Sequence, residues 1–409
     1  MTIIHVVDKL NINIRNILIL FLSLILLSCN ETKLNDEQNY SYSICLAEFS
    51  SLSDAYNYKD RLNKNLLDSI TIKSLSSKRY LILYGNYNNS FTAGIKAYEL
   101  FNDYSIKGYK IFHKDNFVND QFANVLFVAN YSGRPSLYNF NLITKQTKPV
   151  WSRWGRKVLT LNHFQNRNKV FVTTAFSYGK QGAFPVIKDI RLYLYDIQEN
   201  KIDEIYSFGD GIQLYTYWET EDTFKVNLTF SDSIKPEIII QNIYSFDTDG
   251  QLTQVRERNF QILKDGFPKP PVLKPAVISP RGRFQIRNIK ENGKSYLYLR
   301  DVTKNSEILV YEFEGILKNI IWTKDERFCF LIIKLNEVNR SELLIIDANE
   351  MRIRKNYYGP ENMNLLVHGN FLFFDEQNNG IRQIAVYNLN KDSIYHRIQF
   401  YDGCGINNL

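Results

Sequence analysis

The sequence predicts a mainly β protein: a six-bladed β-propeller, with seven blades as the alternative, preceded by a small α+β domain. A five-residue apolar and aromatic segment ending in Asn or Asp occurs six times, with starts 55, 51, 54, 46 and 41 residues apart. That spacing is close to one propeller blade per copy. The aromatic content of 14% also favours strands. The copies, called the tag below, are Leu137–Asn141, Leu192–Asp196, Ile243–Asp247, Leu297–Asp301, Leu343–Asp347 and Ile384–Asn388.

Each tag is predicted to be a strand that enters a tight turn at its last residue. Asn and Asp side chains accept hydrogen bonds from their own backbone and tolerate unusual dihedral angles. Six such residues in a ring could also form a carboxylate cluster. Their position where a strand meets a turn favours the turn-forming role.

The composition sets limits on the class of protein. A chain of 409 residues with 44% hydrophobic residues can bury a core and is long enough for more than one domain. The net charge of +7 is dispersed without an Arg/Lys run, so a soluble, mildly basic surface is favoured over nucleic-acid binding. No paired spacing predicts a disulfide framework, a metal site or a cofactor site among Cys29, Cys45, Cys329 and Cys404.

The N-terminus is predicted to be a signal peptide. Lys9 and Arg15 precede the apolar run Ile17–Leu27, whose 11 residues are too few to span a bilayer. The segment Leu26–Cys29 resembles the lipobox of bacterial lipoproteins. That resemblance implies cleavage after residue 28 and lipidation of Cys29 with acyl chains such as palmitate, which would anchor the protein to a membrane. The alternative is an ordinary secretory signal with an incidental cysteine.

Asn30 stands where an inner-membrane retention signal of such lipoproteins usually shows Asp. The resemblance therefore implies the outer membrane of a bacterial cell envelope, with the protein facing the periplasm or the cell surface. Residues 29–41 are polar without an apolar periodicity and are predicted to be a flexible tether.

Residues 42–114 are predicted to form an α+β domain with the order strand, helix, strand, strand, helix, strand. The helix starts are placed at Ser53-Asp54 and Asn89-Ser90, because these side chains cap helix N-termini. Two half-motifs, Ile44–Phe49 with Asp54-Ala55 and Tyr80–Tyr87 with Thr92–Gly94, resemble the ferredoxin-like SPOR domain. The resemblance implies binding to peptidoglycan glycan strands stripped of their stem peptides.

The glycan-binding candidates implied by the resemblance lie on the sheet face opposite the helices. They are Cys45, Glu48, Arg79, Leu81 and Tyr109. Cys45, Leu81 and Leu83 should share this face and make it more apolar than a sugar-binding surface, because side chains alternate along strands. The alternative is a domain that packs this face against the propeller or a partner.

Residues 115–409 are assigned to the propeller, with four antiparallel strands per blade. Ser279–Phe284 and Thr323–Phe328 resemble the inner-strand turns of Tol-system, WD-repeat-like and dipeptidyl-peptidase-type propellers. The first blade lacks an inner strand, which Asp402–Leu409 or Asn116–Val118 could supply. The long insertions Ser177–Pro185 and 264–271 are predicted to be loops at the rim, where binding chemistry tends to reside.

The motifs favour a binding protein over an enzyme. Hydrolase, phosphate-binding, zinc and calcium motifs are not found. His163 and His368 occupy comparable inner-strand positions and could converge on the propeller axis, although a structural role is favoured for each. Two hypotheses follow. One is a non-enzymatic envelope lipoprotein that touches peptidoglycan through the SPOR-like domain and envelope proteins through the propeller. The other is a propeller enzyme, lyase or hydrolase, acting on polysaccharide.

Overall fold

The computed structural model describes residues 41–399 in two compact units, which divide between Asp120 and Gln121. The described range excludes 63, 107, 131–134, 152–154, 164–168, 182–183, 198, 221, 233–234, 236, 263–265, 267, 269–276, 337–338, 362 and 379–380. The predicted signal peptide, the lipidation site Cys29 and most of the tether lie outside it. Among the described helices, none is both long and apolar enough to cross a membrane.

The first unit has the predicted order of strands and helices, which is confirmed. Its sheet is antiparallel in the order β2–β3–β1–β4–β5, and the first four strands have the ferredoxin-like arrangement. The unit ends six residues beyond the predicted boundary at 114, because β5 joins this sheet. Its elements are β1 (Tyr42–Phe49), α1 (Leu52–Arg61), a 3-10 helix (Lys64–Ser69), β2 (Ile70–Ser76), β3 (Arg79–Tyr87), α2 (Ser90–Tyr104), β4 (Lys110–His113) and β5 (Asn116–Val118).

The two helices begin at side-chain caps, one of them earlier than predicted. Helix α1 is capped by Ser51, not by Ser53, because the Ser51 hydroxyl lies 3.5 Å from the Asp54 amide that donates to it. Asn89 caps α2 as predicted, accepting from the Thr92 amide at 2.8 Å. Both helices pack on one face of the sheet over a core that includes Ile44, Leu46, Ala55, Ile82, Ala93, Ala97 and Ile111.

The second unit is built from six successive antiparallel sheets among its described residues. The first sheet contains β6 (Asn124–Asn130), β7 (Pro135–Asn141) and β8 (Thr147–Trp151), and the second contains β9 (Lys157–His163), β10 (Lys169–Ala175), β11 (Ser177–Gln181), β12 (Phe184–Asp196) and β13 (Lys201–Gly211). The third contains β14 (Gln213–Trp218), β15 (Phe224–Ser231), β16 (Ile238–Phe246) and β17 (Leu252–Gln261), and the fourth contains β18 (Phe284–Glu291), β19 (Lys294–Asp301) and β20 (Ser306–Phe313). The fifth contains β21 (Gly315–Trp322), β22 (Phe328–Leu335), β23 (Arg340–Asp347) and β24 (Arg352–Pro360), and the sixth contains β25 (Leu365–His368), β26 (Phe371–Asn378), β27 (Ile381–Asn388) and β28 (Ser393–Gln399).

These sheets pack on one another in the order fourth, fifth, sixth, first, second, third. That order is a circular permutation of the chain order, so the last sheet lies beside the first, as in a β-propeller. The prediction of a mainly β propeller protein is confirmed. The contacts between successive sheets, in that order and with distances between ring centroids, are Phe284 on Trp322 at 6.2 Å, Tyr357 with Phe374 at 4.9 Å, His396 stacked on Phe140 at 5.5 Å, an apolar cluster around Val128 and Leu161, and Phe171 stacked on Phe224 at 4.4 Å.

The tag residues are turn formers, as predicted. Each terminal Asn or Asp accepts hydrogen bonds through Oδ1 from backbone amides two to four residues further along the chain. All six tags lie on the strand before the last of their sheet, so they mark the same step in every blade. The acceptors are Asn141, Asp196, Asp247, Asp301, Asp347 and Asn388.

The first sheet has no described inner strand next to β6. The tag is the third strand of a four-strand series in the third, fifth and sixth sheets, whereas β7 is only the second strand of its sheet. Asn116–Val118 does not supply the missing strand, because it pairs with β4 in the first unit. The other candidate, Asp402–Leu409, lies outside the described residues.

The turns that resemble Tol-type propellers are closed by hydroxyl side chains. The Phe284 amide donates to Ser279 Oγ at 2.9 Å, and the Phe328 amide donates to Thr323 Oγ1 at 3.0 Å. Glu326 links the fourth and fifth sheets, since its buried carboxylate accepts from Ser279 Oγ and from the Arg281 amide, each at 2.5 Å. Burial acts to raise the pKa of Glu326, but these hydrogen bonds lower it overall.

Candidate functional site

The predicted glycan-binding face of the first unit is a second apolar core. Cys45, Leu81, Leu83 and Phe112 are buried together on the side of the sheet away from the helices. Burial, and secondarily the neighbouring Glu48 carboxylate, raises the pKa of the Cys45 thiol to about 11. The prediction that Cys45, Leu81 and Leu83 share an apolar face is confirmed.

The β4–β5 hairpin curls over this face. Phe117 of β5 packs against the buried cluster although β5 is the far edge of the sheet. Asp115, in the turn of the hairpin, forms an ion pair of 2.6 Å with Lys73 on the opposite edge strand β2. The Lys110 ammonium lies 4.7 Å from the Phe117 ring centroid. The chain therefore covers with its own residues the surface that the SPOR resemblance implies is open.

The remaining glycan-binding candidates lie apart from that cluster. Glu48 and Arg79 form a half-exposed ion pair of 2.5 Å, in which the hydrogen bond from Arg79 lowers the pKa of the Glu48 carboxyl. Tyr109 donates to Asp120 Oδ2 at 2.7 Å and packs against the helix-side core. The five candidates thus divide into a buried pair (Cys45 and Leu81), a pair at the rim (Glu48 and Arg79), and Tyr109 elsewhere.

The two predicted axial histidines end the first strands of their sheets. His368 hydrogen-bonds the Phe122 carbonyl at 2.7 Å, and burial lowers its pKa to about 4. Burial also lowers the pKa of His163 to about 4, against the opposing effect of a hydrogen bond to the Leu126 backbone. An electrostatic effect of His163 is a smaller cause of the lowered pKa of His368.

An arm of two strands extends from the second sheet. Strands β10 and β11 pair in succession with the long strand β12, whereas the neighbouring strand β9 begins only at Lys157, opposite Ala175. The arm, defined as Ser177–Gln181 with its partner residues 184–188, therefore continues beyond the sheet. The sequence marks this segment only as an insertion, because Gly179, Gly182 and Pro185 are typical of loops.

A charged network braces the base of the arm. The buried guanidinium of Arg156 donates to the Asp189 carboxylate and to the Asp189 carbonyl, each at 2.5 Å, and to Thr174 Oγ1 at 2.9 Å. Asp189 has a left-handed φ of +51°, at a register shift in the pairing of β12 with β13. Hydrogen bonds from Arg191 and Arg156 lower the pKa of Asp189. The backbone irregularity of β12 at Asp189 is therefore held by ionised partners.

Two large aromatic side chains are exposed where the arm begins, one immediately before β11 and one on it. Phe176 and Tyr178 are 54% and 57% exposed, respectively. The Phe176 ring lies over Gly155, where a Cβ atom would approach it to 2.8 Å. The Lys157 ammonium lies 4.8 Å from the Tyr178 ring centroid. Exposed aromatic side chains on a braced element are typical anchors for a partner. Sequence patterning could not identify them, since the same residue types fill the core elsewhere.

In the described part of the chain, no three His, Cys, Asp or Glu side chains lie close enough together to hold a metal ion.

Comparison with known proteins relates the chain to solved structures only. No protein-family model and no curated protein sequence matches it. TolB from Acinetobacter baumannii aligns at 14% identity over 83% of this chain and 80% of that chain, with a TM-score of 0.42. The periplasmic gluconolactonase PpgL of Pseudomonas aeruginosa aligns at 13% identity over 69% and 97%, with a TM-score of 0.40. The β-propeller domain of the Trilobed protease from Pyrococcus furiosus aligns at 12% identity over 47% and 58%, with a TM-score of 0.25. These likenesses are too distant to carry a function.

Proposed function

We propose that the protein is a cell-envelope lipoprotein that acts as a non-enzymatic scaffold and binds another envelope protein through its propeller. Cys29 carries the lipid anchor, and the outer membrane is the site of attachment, with the protein facing the periplasm or the cell surface. The propeller has six blades, one for each tag and each described sheet. The N-terminal signal pattern and the packing order of the sheets support this proposal.

The arm is the observation that carries the binding role. Exposed aromatic groups on a soluble surface stabilise nothing by burial until a partner covers them. Phe176 and Tyr178 are two residues apart in the chain region braced by Arg156, so a partner meets a surface that is already ordered. Preorganisation reduces the entropy lost on association and so favours binding.

Co-purification tests the binding role of the propeller. Replacing both Phe176 and Tyr178 with serine is expected to weaken capture of the partner by about tenfold or more, since each aromatic anchor contributes about 1–2 kcal/mol or more to an interface. The measurement is crosslinking in membranes, detergent solubilisation, and quantification of the captured protein. Tyr56→Ser is the matched control, because Tyr56 is 53% exposed but lies on α1 of the first unit. Equal capture by the wild type and the double variant would contradict the proposal.

A second role, glycan binding by the first unit, is favoured by the exposed Glu48–Arg79 pair. Because Phe117 covers the apolar face, a glycan would contact only the rim. We therefore expect weak binding of denuded glycan strands, with a Kd on the order of millimolar, that is lost in Arg79→Ala. Pull-down with denuded and with intact peptidoglycan measures it, and Arg61→Ala at the end of α1 is the control. Retention by Arg79→Ala equal to that of Arg61→Ala removes this role.

A further inference from the structure

We infer that the arm binds an extended, acidic peptide segment of the partner, which adds a strand to the free edge of β11. This inference rests on the proposed protein-binding role of the propeller and names the chemistry of the partner. Three features of the arm carry it: an unpaired strand edge, lysine side chains beside the exposed aromatic residues, and a braced base.

The outer edge of β11 has no strand partner in the described part of the chain. The sheet order is β11–β12–β10–β9, so β11 lies at an edge, and β9 stops short of it at Lys157. Lys180 is paired with Pro185, which has no N–H to donate. We therefore assign Lys180 and Pro185 to a pair without hydrogen bonds; Gly179 then hydrogen-bonds β12, while Tyr178 and Lys180 direct their backbone groups to the free edge. An extended peptide can pair with those groups and would continue the sheet where β9 ends.

The charge around this edge selects the peptide. Lys180 is exposed, and Lys157 lies over the Tyr178 ring. Neither lysine forms an ion pair with a described residue. Lys188, by contrast, is paired with Asp210 at 2.5 Å, and Arg191 with Glu204 at 3.0 Å. The base of the arm is therefore neutralised internally while its edge keeps two positive charges. Carboxylates on alternate residues of an added strand would lie on the same side as these lysines.

The braced base makes strand addition favourable. A free hairpin of this length would lose conformational entropy on binding. Here the carboxylate of Asp189 accepts from Arg156 and its amide donates to Asp210 Oδ1 at 2.9 Å, so both its side chain and its backbone are held at the base of the arm. The added strand gains backbone hydrogen bonds at an edge that is already extended, and Tyr178 supplies an apolar contact beside it.

Synthetic peptides test this inference on the full-length protein in detergent. The parent probe is a fluorescent nine-residue peptide of alternating Thr and Glu, and its binding is followed by anisotropy. Two further probes carry N-methyl groups on the odd or on the even residues. Because a strand pairs through alternate residues, one methylated set should bind at least about tenfold more weakly and the other like the parent. A Thr/Lys peptide should also bind at least about tenfold more weakly, since its charge is reversed.

Two variants locate the site. The double change Tyr178→Ser with Lys180→Glu is expected to remove binding of the parent peptide, whereas Tyr56→Ser leaves it unchanged. Both changes are at exposed positions, and equal melting temperatures of the variants establish that folding is intact.

Other outcomes overturn the inference. No peptide binding, or equal binding of both N-methylated peptides, rules out strand addition. Binding of an oligogalacturonate in place of the peptide identifies the surface as a site for anionic sugar. If the peptide tests fail but the double variant Phe176→Ser with Tyr178→Ser loses its partner in membranes, only binding by strand addition is ruled out. If it keeps the partner, the proposed function fails as well.

Discussion

Replacing Asp347 with alanine is expected to lower the free energy of unfolding of the second unit by about 3–5 kcal/mol, the usual effect of breaking a buried ion pair on one side. The Asp347 side chain is 1% exposed and lies 2.7 Å from the mostly buried guanidinium of Arg354. It also accepts from the amides of Asn349 and Glu350, at 3.1 and 3.2 Å. Alanine removes the turn acceptor and leaves the Arg354 charge without this partner.

Two matched variants separate these contributions. Asp347→Asn keeps an Oδ1 acceptor for the turn and removes only the charge, so its loss should be intermediate. Asp196→Ala removes a half-buried tag residue that accepts from the Glu199 amide, and it should lower the stability by only about 1 kcal/mol. Chemical denaturation followed by tryptophan fluorescence measures all three, because the four tryptophans lie between residues 151 and 322. Equal losses for Asp347→Ala and Asp196→Ala would contradict the account.

Acidification should destabilise the second unit between pH 6.5 and about 4 through His163 and His368. Both have a pKa of about 4 in the folded protein, against 6.5 as the ordinary value. Between these limits the unfolded chain binds protons that the folded chain does not, so stability falls as the pH falls. Above pH 6.5 both states are neutral and the contribution is fully present. The loss across the window is on the order of 3 kcal/mol for each histidine.

The double variant His163→Gln with His368→Gln isolates this effect. Glutamine does not titrate, and it retains an amide donor for the carbonyl that His368 contacts. Melting temperatures from pH 7 to 4.5 should therefore decline less steeply in the double variant than in the wild type. His113→Gln, in the first unit, should leave the slope for the second unit unchanged. Parallel slopes for the wild type and the double variant would show that the two histidines are protonated in the folded state.

The repeated tag was predictable because its cause is local. A strand that ends in Asn or Asp forms the same turn wherever it occurs, since the acceptor and the amides are within four residues. Asp247, for example, accepts from Asp249 and Gln251. The helix start at Asn89 was equally local. The start of α1 was misplaced by two residues because Ser51 and Ser53 are both suitable caps, and patterning does not distinguish them.

The cover over the sheet face of the first unit could not be predicted from local patterns. It depends on curvature that brings Asp115 to Lys73, across the width of the sheet. The strand concerned, Asn116–Val118, has three residues and no periodicity of its own. The SPOR resemblance implies an open face, and the departures at Cys45 and Leu81 indicate instead an apolar one. The sequence therefore predicts the chemistry of this face but not the hairpin that covers it.

The structure of the arm could not be predicted from local sequence patterns either. Gly179 and Pro185 favour a loop, whereas the pairing of β11 with β12 keeps both of them in strands. The brace at Arg156 joins residues 33 positions apart in the chain, so no local signal indicates it. Exposure of Phe176 and Tyr178 follows from where β9 ends, which is a property of the whole sheet.

Photocrosslinking in cells tests the scaffold role most directly. A benzophenone amino acid is placed at position 178 on the arm or at position 56 on α1, two sites of similar exposure. We expect one discrete protein adduct from position 178 and none of that mass from position 56. Absence of an adduct at position 178, or the same adduct at equal yield from both positions, would contradict the claim that the propeller arm binds the partner.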